Sequence, residues 1–220
     1  MQAQKPKKAL YSAFLRAILS NTISDSNNIT REVPAMKQAI IVLAEGFEEI
    51  EALGTADILN RCGVMTMLAG ISGSIVSGAH DIRVAPDMFL EHTPGSDADA
   101  IILPGGLPGA TNLMNCEALG VMVREAVAKG KIAAAICAAP IALHAFGVLD
   151  GKTVTGYPGT EKLSTRPGLK FTGNPVEHDG NIITGKAPGA TPFFAAEIAR
   201  ALGVNEATVQ GVLNGMFVRP

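Results

Sequence analysis

A cysteine between a buried strand and a helix is the residue of this sequence best suited to chemistry. Cys137 follows the apolar run 131–136, and Pro140 opens a predicted helix. Its small neighbours let the backbone bend sharply, as at a nucleophile elbow, which raises the side chain out of the sheet. The positive end of a helix also favours a thiolate and lowers a cysteine pKa. We therefore predict that Cys137 is a reactive nucleophile rather than an inert core thiol.

A glutamate on an inward helix face is the candidate partner of this thiol. On a helix, Glu51 shares one face with three apolar or small residues, Phe47, Gly54 and Ile58. Burial would raise the carboxyl pKa, and a protonated glutamate can donate a hydrogen bond to a thiolate. An ionised Glu51 beside Cys137 would instead oppose its ionisation. Glu48 and Glu49 fall on other faces, where they favour the helix N-terminus as charges.

A glycine turn is the third candidate part of the site. Gly105 and Gly106 follow an apolar strand, where their backbone N–H groups can face a ligand. The spacing is not that of a GxGxxG dinucleotide fingerprint. It suits an oxyanion-binding turn, although a merely tight connection stays an alternative.

The four histidines do not complete a catalytic triad. His144 lies seven residues beyond Cys137, which is about 10 Å of helical rise. His178 is beside a predicted hairpin turn and is expected to be solvated, and His80 and His92 lie in loop-like segments.

Alternating strands and helices must position these groups. The predicted strands are 38–43, 64–69, 99–103, 131–136 and 153–155, followed by a hairpin over 176–184 with an Asp179-Gly180 turn. The predicted helices are 48–61, 117–129 with an Asn115 cap, one opening at Pro140, 191–203 and 206–213 with an Asn205 cap. This alternation predicts an α/β domain with a mostly parallel sheet covered on both faces, whose ligands bind beyond the carboxyl ends of the strands.

Composition limits the function classes. The 220 residues carry a net charge of −2, which argues against a nucleic-acid partner, and no apolar run reaches the length of a membrane span. Three cysteines without metal-ligand spacing disfavour a disulfide scaffold or zinc module and favour a reducing compartment. Cys62 and Cys116 lack the strand–helix context of Cys137 and are predicted to be structural.

The segment 1–35 is predicted to be an N-terminal extension of the domain 36–220. It contains five basic and two acidic residues, and none of its acidic residues precedes Asp25. Arg16 interrupts its apolar stretch, which disfavours a secretory signal, whereas a basic start poor in acids is typical of an organellar transit peptide. An extension without a role is the other alternative. We therefore expect a cytoplasmic protein, or an organellar one if residues 1–35 are a transit peptide.

Taken together, these motifs resemble a known family. The segments Ile40–Leu43, 48–51, 102–106 and 135–140, with 155–158 and 187–191, closely resemble the ThiJ/PfpI superfamily and its DJ-one branch, that of the parkinsonism-associated deglycase. The resemblance covers about residues 36–218. It implies a flavodoxin-like sandwich related to class I glutamine amidotransferases, a homodimer, an oxidisable Cys137 with its acid partner Glu51, and oxyanion contacts from Gly105, Gly106 and the amide of Ala138.

Two positions depart from that family pattern. Tyr157 stands where several members have a histidine near the cysteine, and tyrosine is a poor base at neutral pH. His80 stands where the human-type protein has an arginine in an anion-contacting loop. Both residues are predicted to lie in the pocket. Both also weaken the expectation that this chain shares the kinetics of the human-type protein.

The resemblance implies a glyoxalase or deglycase that acts on small dicarbonyls or their protein adducts and protects against oxidative stress, without a metal or organic cofactor. A redox sensor or holdase chaperone that uses the same oxidisable cysteine is the main alternative. A cysteine peptidase is disfavoured because Ala138 occupies the position where the peptidase branch has a histidine. A degenerate binding domain related to the amidotransferases is a further alternative.

Overall fold

The computed structural model describes residues 36–92 and 98–219. Its strands are β1 Gln38–Leu43, β2 Met65–Gly70, β3 Val76–Ser77, β4 Arg83–Val84, β5 Met88–Phe89, β6 Ala100–Leu103, β7 Ile132–Ile136, β8 Thr153–Val154, β9 Lys170–Phe171, β10 Val176–Asp179 and β11 Ile182–Gly185. Seven of them form one sheet in the order β10-β11-β7-β6-β1-β2-β5. Every pair in this sheet is parallel except the β10–β11 hairpin, and β3–β4 and β8–β9 form two small separate sheets.

Helices connect these strands. Within the described ranges they are α1 Glu49–Arg61, α2 Gly109–Met114, α3 Glu117–Ala128, α4 Pro140–Ala145, α5 Thr191–Ala201 and α6 Glu206–Gly215. Short 3₁₀ helices occur at Leu90–His92, Thr160–Thr165 and Pro188–Ala190.

The sheet separates two apolar cores, as a doubly covered parallel sheet requires. Alternate residues of β1 enter opposite cores: Ile41 and Leu43 pack with α1, α5 and α6, whereas Ile40 and Val42 pack with α2, α3 and α4. This continuous burial explains why β6 and β7 are apolar at every position, and β1 at every position after Gln38. The predicted α/β class with a flavodoxin-like sheet is confirmed.

Most element bounds agree with the sequence to within one or two residues, but two local predictions are wrong. Asn115 does not cap α3; it ends α2, a helix that the sequence did not reveal, and Cys116 is the N-cap residue of α3. The hairpin loop is Gly180 and Asn181, because Asp179 pairs with Ile182 across the ladder. His178 is exposed, as predicted beside the hairpin, and its Nδ1 lies 2.8 Å from Glu197 Oε1.

The prediction of an N-terminal extension over 1–35 falls outside the described residues. Among the described residues, no helix is both long and apolar enough to cross a membrane.

Candidate active site

Cys137 occupies a sharp turn at the carboxyl end of β7. Its φ is +62°, a left-handed conformation that non-glycine residues rarely adopt. Two backbone hydrogen bonds hold the turn: the Cys137 N–H donates to Gly185 O at 2.9 Å, and the Tyr157 N–H donates to Cys137 O at 2.8 Å. The residue is 9% exposed, and α4 begins three positions later at Pro140. The elbow predicted from the sequence is therefore present in the backbone.

Glu51 lies beside this thiol, on the buried face of α1. The residue is 1% exposed, and its Oε2 accepts a hydrogen bond from Gly105 N–H at 2.7 Å. Its Oε1 is buried and receives no N–H or O–H donor from the described residues. The hydrogen-bonding neighbour that remains for the carboxyl is the Cys137 thiol. The structure thus brings together the cysteine and the acid that the sequence paired.

Gly105 lies in contact with both groups. A Cβ built on it would be 2.7 Å from Cys137 Cβ and 2.7 Å from Glu51 Oε2, so a side chain at this position would displace one of them. Its neighbour Gly106 has φ +87°, and a Cβ there would be 2.5 Å from the backbone N of Glu48. Only glycine fits this conformation and this close approach.

Two backbone amides surround the sulfur. The N–H groups of Gly106 and Ala138 both donate hydrogen bonds to Cys137 Sγ. Donors held at that position are suited to an oxygen that becomes negative on an atom bonded to the sulfur. The glycine turn after β6 and the first residue after the elbow therefore meet at one point, as an oxyanion site requires.

The ionisation of the pair differs from the sequence prediction. Burial raises the pKa of Glu51 to about 7, against the lowering effect of the Gly105 N–H. Burial, and then the charge of Glu51, raise the pKa of the Cys137 thiol to about 12. The lowered thiol pKa predicted from the helix end is wrong, because α4 has only six residues and two N–H bonds do not offset burial beside a carboxylate.

The pair consequently holds a proton near neutral pH. With a pKa of about 7, Glu51 is protonated in roughly half of the molecules at pH 7. Once Glu51 is neutral its repulsion of a thiolate disappears, and the carboxylic acid becomes a hydrogen-bond donor to sulfur. The same geometry that opposes a thiolate beside an ionised glutamate supports one beside a protonated glutamate.

His80 belongs to a neighbouring cluster. Its Nδ1 lies 2.8 Å from Glu49 Oε2 and 3.6 Å from Glu48 Oε2, and the Glu49 hydrogen bond raises the pKa of this exposed imidazole. No hydrogen bond or ion pair of the described residues joins His80 to Cys137 or Glu51. His80 as a pocket residue stays a prediction.

The roles of Glu48 and Glu49 were missed by the sequence analysis. Both are buried, and Glu49 accepts the backbone N–H groups of His80, at 2.7 Å, and Ile82, at 3.4 Å, which ties the β3–β4 turn to α1. The charge of Glu48 also raises the pKa of Glu51. The run of acids at the start of α1 was the available signal. With His80 these residues offer three ligand atoms within 4.8 Å of one another, a spacing that can hold a metal ion.

Tyr157 adjoins the elbow through its backbone. Its carbonyl accepts a hydrogen bond from Thr160 Oγ1 at 2.6 Å, and its side chain is half exposed. Its hydroxyl makes no hydrogen bond within the part of the chain that the structure describes. The other two cysteines lie apart from this site: Cys62 is buried at the end of α1, where burial raises its pKa, and Cys116 begins α3.

A doubly covered, mostly parallel sheet with a cysteine turn at the end of a central strand defines a flavodoxin-like α/β protein with a cysteine-centred site. The profile of the DJ-1/PfpI family matches residues 37–201. The chain belongs to this family, as the resemblance predicted.

Individual relatives span almost the same domain. The chain is 36% identical over 183 residues to the protein dj-1beta of Drosophila melanogaster, covering 83% of this chain and 97% of that protein. The crystal structure of that fly protein superposes with a TM-score of 0.79, over 84% of this chain and all of the other. A glutathione-independent glyoxalase of Caenorhabditis elegans is 35% identical, over 79% of this chain and 93% of its own. A deglycase of Pyrococcus abyssi is 27% identical, over 75% of this chain and 99% of its own.

Proposed function

We propose that this protein is a cysteine-dependent enzyme of the glyoxalase or deglycase type, acting on small α-oxoaldehydes or on their adducts with protein amino and thiol groups. The observation that carries the proposal is the contact of Cys137 with Glu51 and with the N–H groups of Gly106 and Ala138. The names of two relatives, a glyoxalase and a deglycase, point to the same reaction class.

The first step is addition of sulfur to the aldehyde carbon. The thiolate of Cys137 forms a C–S bond, and the former carbonyl oxygen becomes the oxyanion of a hemithioacetal. The N–H groups of Gly106 and Ala138 are placed to stabilise this oxyanion. The proton that the thiol loses passes to the carboxylate of Glu51, which delivers it to the hemithioacetal oxygen and so becomes a carboxylate again.

The second step is proton transfer between the two carbons of the substrate. Glu51 removes the proton from the hemithioacetal carbon and delivers one to the neighbouring carbon, so that the aldehyde carbon is oxidised and the ketone carbon is reduced. The product on the cysteine is the thioester of a 2-hydroxy acid. Water then cleaves the C–S bond, releases the acid and restores the thiol. No outside oxidant or reductant is needed, in keeping with the prediction that no cofactor takes part.

The test is to incubate the protein with methylglyoxal and follow lactate. Because the reaction adds one water and rearranges the hydrogens, lactate should appear in the amount in which methylglyoxal disappears. Loss of methylglyoxal without lactate would indicate adduct formation on side chains and would contradict the proposal.

A redox-sensing role that uses the same thiol is the second candidate, and the hydrogen-bond donors around the sulfur favour it. We expect mild peroxide to add two oxygens to Cys137, because Gly106 and Ala138 N–H and a protonated Glu51 can stabilise a sulfinate. Cys62 and Cys116 lack such donors, so peptide mass spectrometry should find them unchanged. Equal oxidation of all three cysteines would count against the sensor. Holdase chaperone activity belongs to this second candidate, whereas protection against oxidative stress is part of the proposed enzyme role.

A homodimer is part of the proposal. Ile50 and Ile82 are both exposed, and the Ile82 N–H donates to Glu49, the residue that precedes Ile50. Exposed apolar side chains favour burial against a partner.

A cytoplasmic location, or an organellar one if residues 1–35 act as a transit peptide, stays a prediction.

A peptidase is the less favoured alternative. No histidine of the described residues hydrogen-bonds to Cys137, and Ala138 occupies the following position. A cysteine peptidase needs an imidazole in hydrogen-bond reach of its thiol. The acid beside this thiol is suited to proton transfer between carbon and oxygen.

A further inference from the structure

Two exposed side chains with large apolar surfaces, in different loops, belong to residues that are joined through the backbone to groups in contact with Cys137. Leu107 is 64% exposed and directly follows Gly106, whose N–H donates to the sulfur. Tyr157 is 51% exposed, and its own N–H donates to the carbonyl of Cys137. We call Leu107 and Tyr157 the apolar rim.

A single exposed leucine or tyrosine is ordinary on a protein surface. What distinguishes the apolar rim is its attachment to the elbow: Leu107 follows Gly106, whose N–H contacts the sulfur, and the Tyr157 N–H is bonded to the Cys137 carbonyl, while Cys137 itself is only 9% exposed. The Tyr157 hydroxyl has no partner among the described residues, so its ring is free of a polar tether.

The polar groups of the site are all directed at the reacting atoms. The Gly106 and Ala138 amides point at sulfur, and Glu51 is divided between Gly105 and the thiol. These groups fix the aldehyde carbon and the two oxygens of an α-oxoaldehyde. The remaining substituent is attached at the carbon farther from sulfur, and it must extend away from the buried pair toward the exposed loops.

We propose that the apolar rim binds this substituent and selects α-oxoaldehydes that carry an aryl or larger alkyl group over those that carry a methyl group. This inference rests on the proposed function and narrows its substrate class. Burial of apolar area sets the size of the effect, since each methylene removed from water is worth a few-fold in affinity and an aromatic ring roughly tenfold or more.

The experiment compares phenylglyoxal with methylglyoxal, which yield mandelate and lactate by the same rearrangement. We expect kcat/KM of the wild-type protein to be at least about tenfold higher for phenylglyoxal. In the double variant Leu107→Ala/Tyr157→Ala, this ratio should fall about tenfold, because the phenyl ring loses its contacts and the methyl group loses few. Tyr157→Phe should keep the ratio, since the ring and not the hydroxyl makes the contact.

A matched control removes an exposed apolar side chain elsewhere. Val121 on α3 is also exposed, and Val121→Ala should leave both kcat/KM values unchanged. A substrate ratio that is the same in wild type and in the double variant would overturn the inference, while turnover itself would keep the proposed function.

A measurement without turnover separates the two proposals. Phenacyl bromide and bromoacetone are α-haloketones that differ by the same phenyl and methyl groups, and both alkylate a thiol by displacing bromide. The rate of each reagent with Cys137 is divided by its rate with glutathione. The resulting value should be about tenfold higher for phenacyl bromide than for bromoacetone in the wild type but not in the double variant. If no hydroxy acid is formed but this preference is found, the proposed reaction fails and the apolar rim stands. If the preference is absent, the apolar rim fails as well.

Discussion

Replacement of Cys137 by alanine should reduce lactate formation from methylglyoxal to the rate of a protein-free sample, a loss of at least about a thousandfold in kcat. The sulfur supplies the bond that holds the substrate, and no neighbouring group of the described site can replace it as a nucleophile. Glu51 and the two amides would keep their positions but would act on a substrate that is not attached. The measurement is lactate formed against methylglyoxal consumed, at fixed protein concentration.

The two other cysteines provide the matched controls. Cys116→Ser should retain full activity, because serine is a good N-cap for α3. Cys62→Ala should also retain activity and lose only about 1 kcal/mol of stability, since a buried sulfur is removed at the end of α1. If Cys137→Ala kept more than a tenth of the wild-type rate, or if either control lost activity while folded, the assignment of the nucleophile would be wrong.

The elbow conformation requires a folding control. Cys137 has φ +62°, and alanine at this φ is strained as cysteine is, so the exchange adds little new backbone strain. We expect the circular dichroism spectrum and the melting temperature of Cys137→Ala to remain close to those of the wild type.

The elbow and its acid were predictable because both depend on local periodicity. A fully apolar strand that ends at a cysteine, followed by small residues and a proline, defines the turn. The helical spacing that groups Glu51 with Phe47, Gly54 and Ile58 defines the buried face. The two motifs lie far apart in the chain, yet parallel strands bring their carboxyl ends to one edge, so the sheet makes them meet.

What the sequence could not provide depends on distances across the fold. The sign of the pKa shift of Cys137 follows from how near Glu51 lies and how deeply both are buried, and no spacing rule gives either quantity. The bonds of Glu49 to the turn at His80 join residues 31 positions apart through two-residue strands with no alternation to detect. The helix α2 was hidden because proline and glycine begin it.

Exchange of Glu51 for glutamine should lower kcat with methylglyoxal by about a hundredfold to a thousandfold, because the proton transfer between the two carbons loses its acid and base. Glutamine keeps the shape of the side chain, and its carbonyl oxygen can still accept the Gly105 N–H that Oε2 accepts at 2.7 Å. The wild-type rate should depend on pH through a group with a pKa of about 7, and this dependence should be absent in the variant. Glu125→Gln on the exposed face of α3 is the matched control and should leave the rate and its pH profile unchanged.

The same exchange should alter stability in a direction set by proton linkage. In the folded protein the pKa of Glu51 is raised from 4.5 to about 7, so between these values the folded state holds a proton that the unfolded chain has released. The contribution of this carboxyl is therefore fully present below about pH 4.5 and is lost as the pH rises through 7. The loss amounts to about 3 kcal/mol of the free energy of unfolding. Urea unfolding between pH 5 and pH 8 should show a smaller decline for Glu51→Gln than for the wild type and for Glu125→Gln. A wild type and a Glu51→Gln variant with parallel stability profiles over this range would show that the carboxyl does not hold its proton, and the acid–base role assigned to it would then have no physical basis.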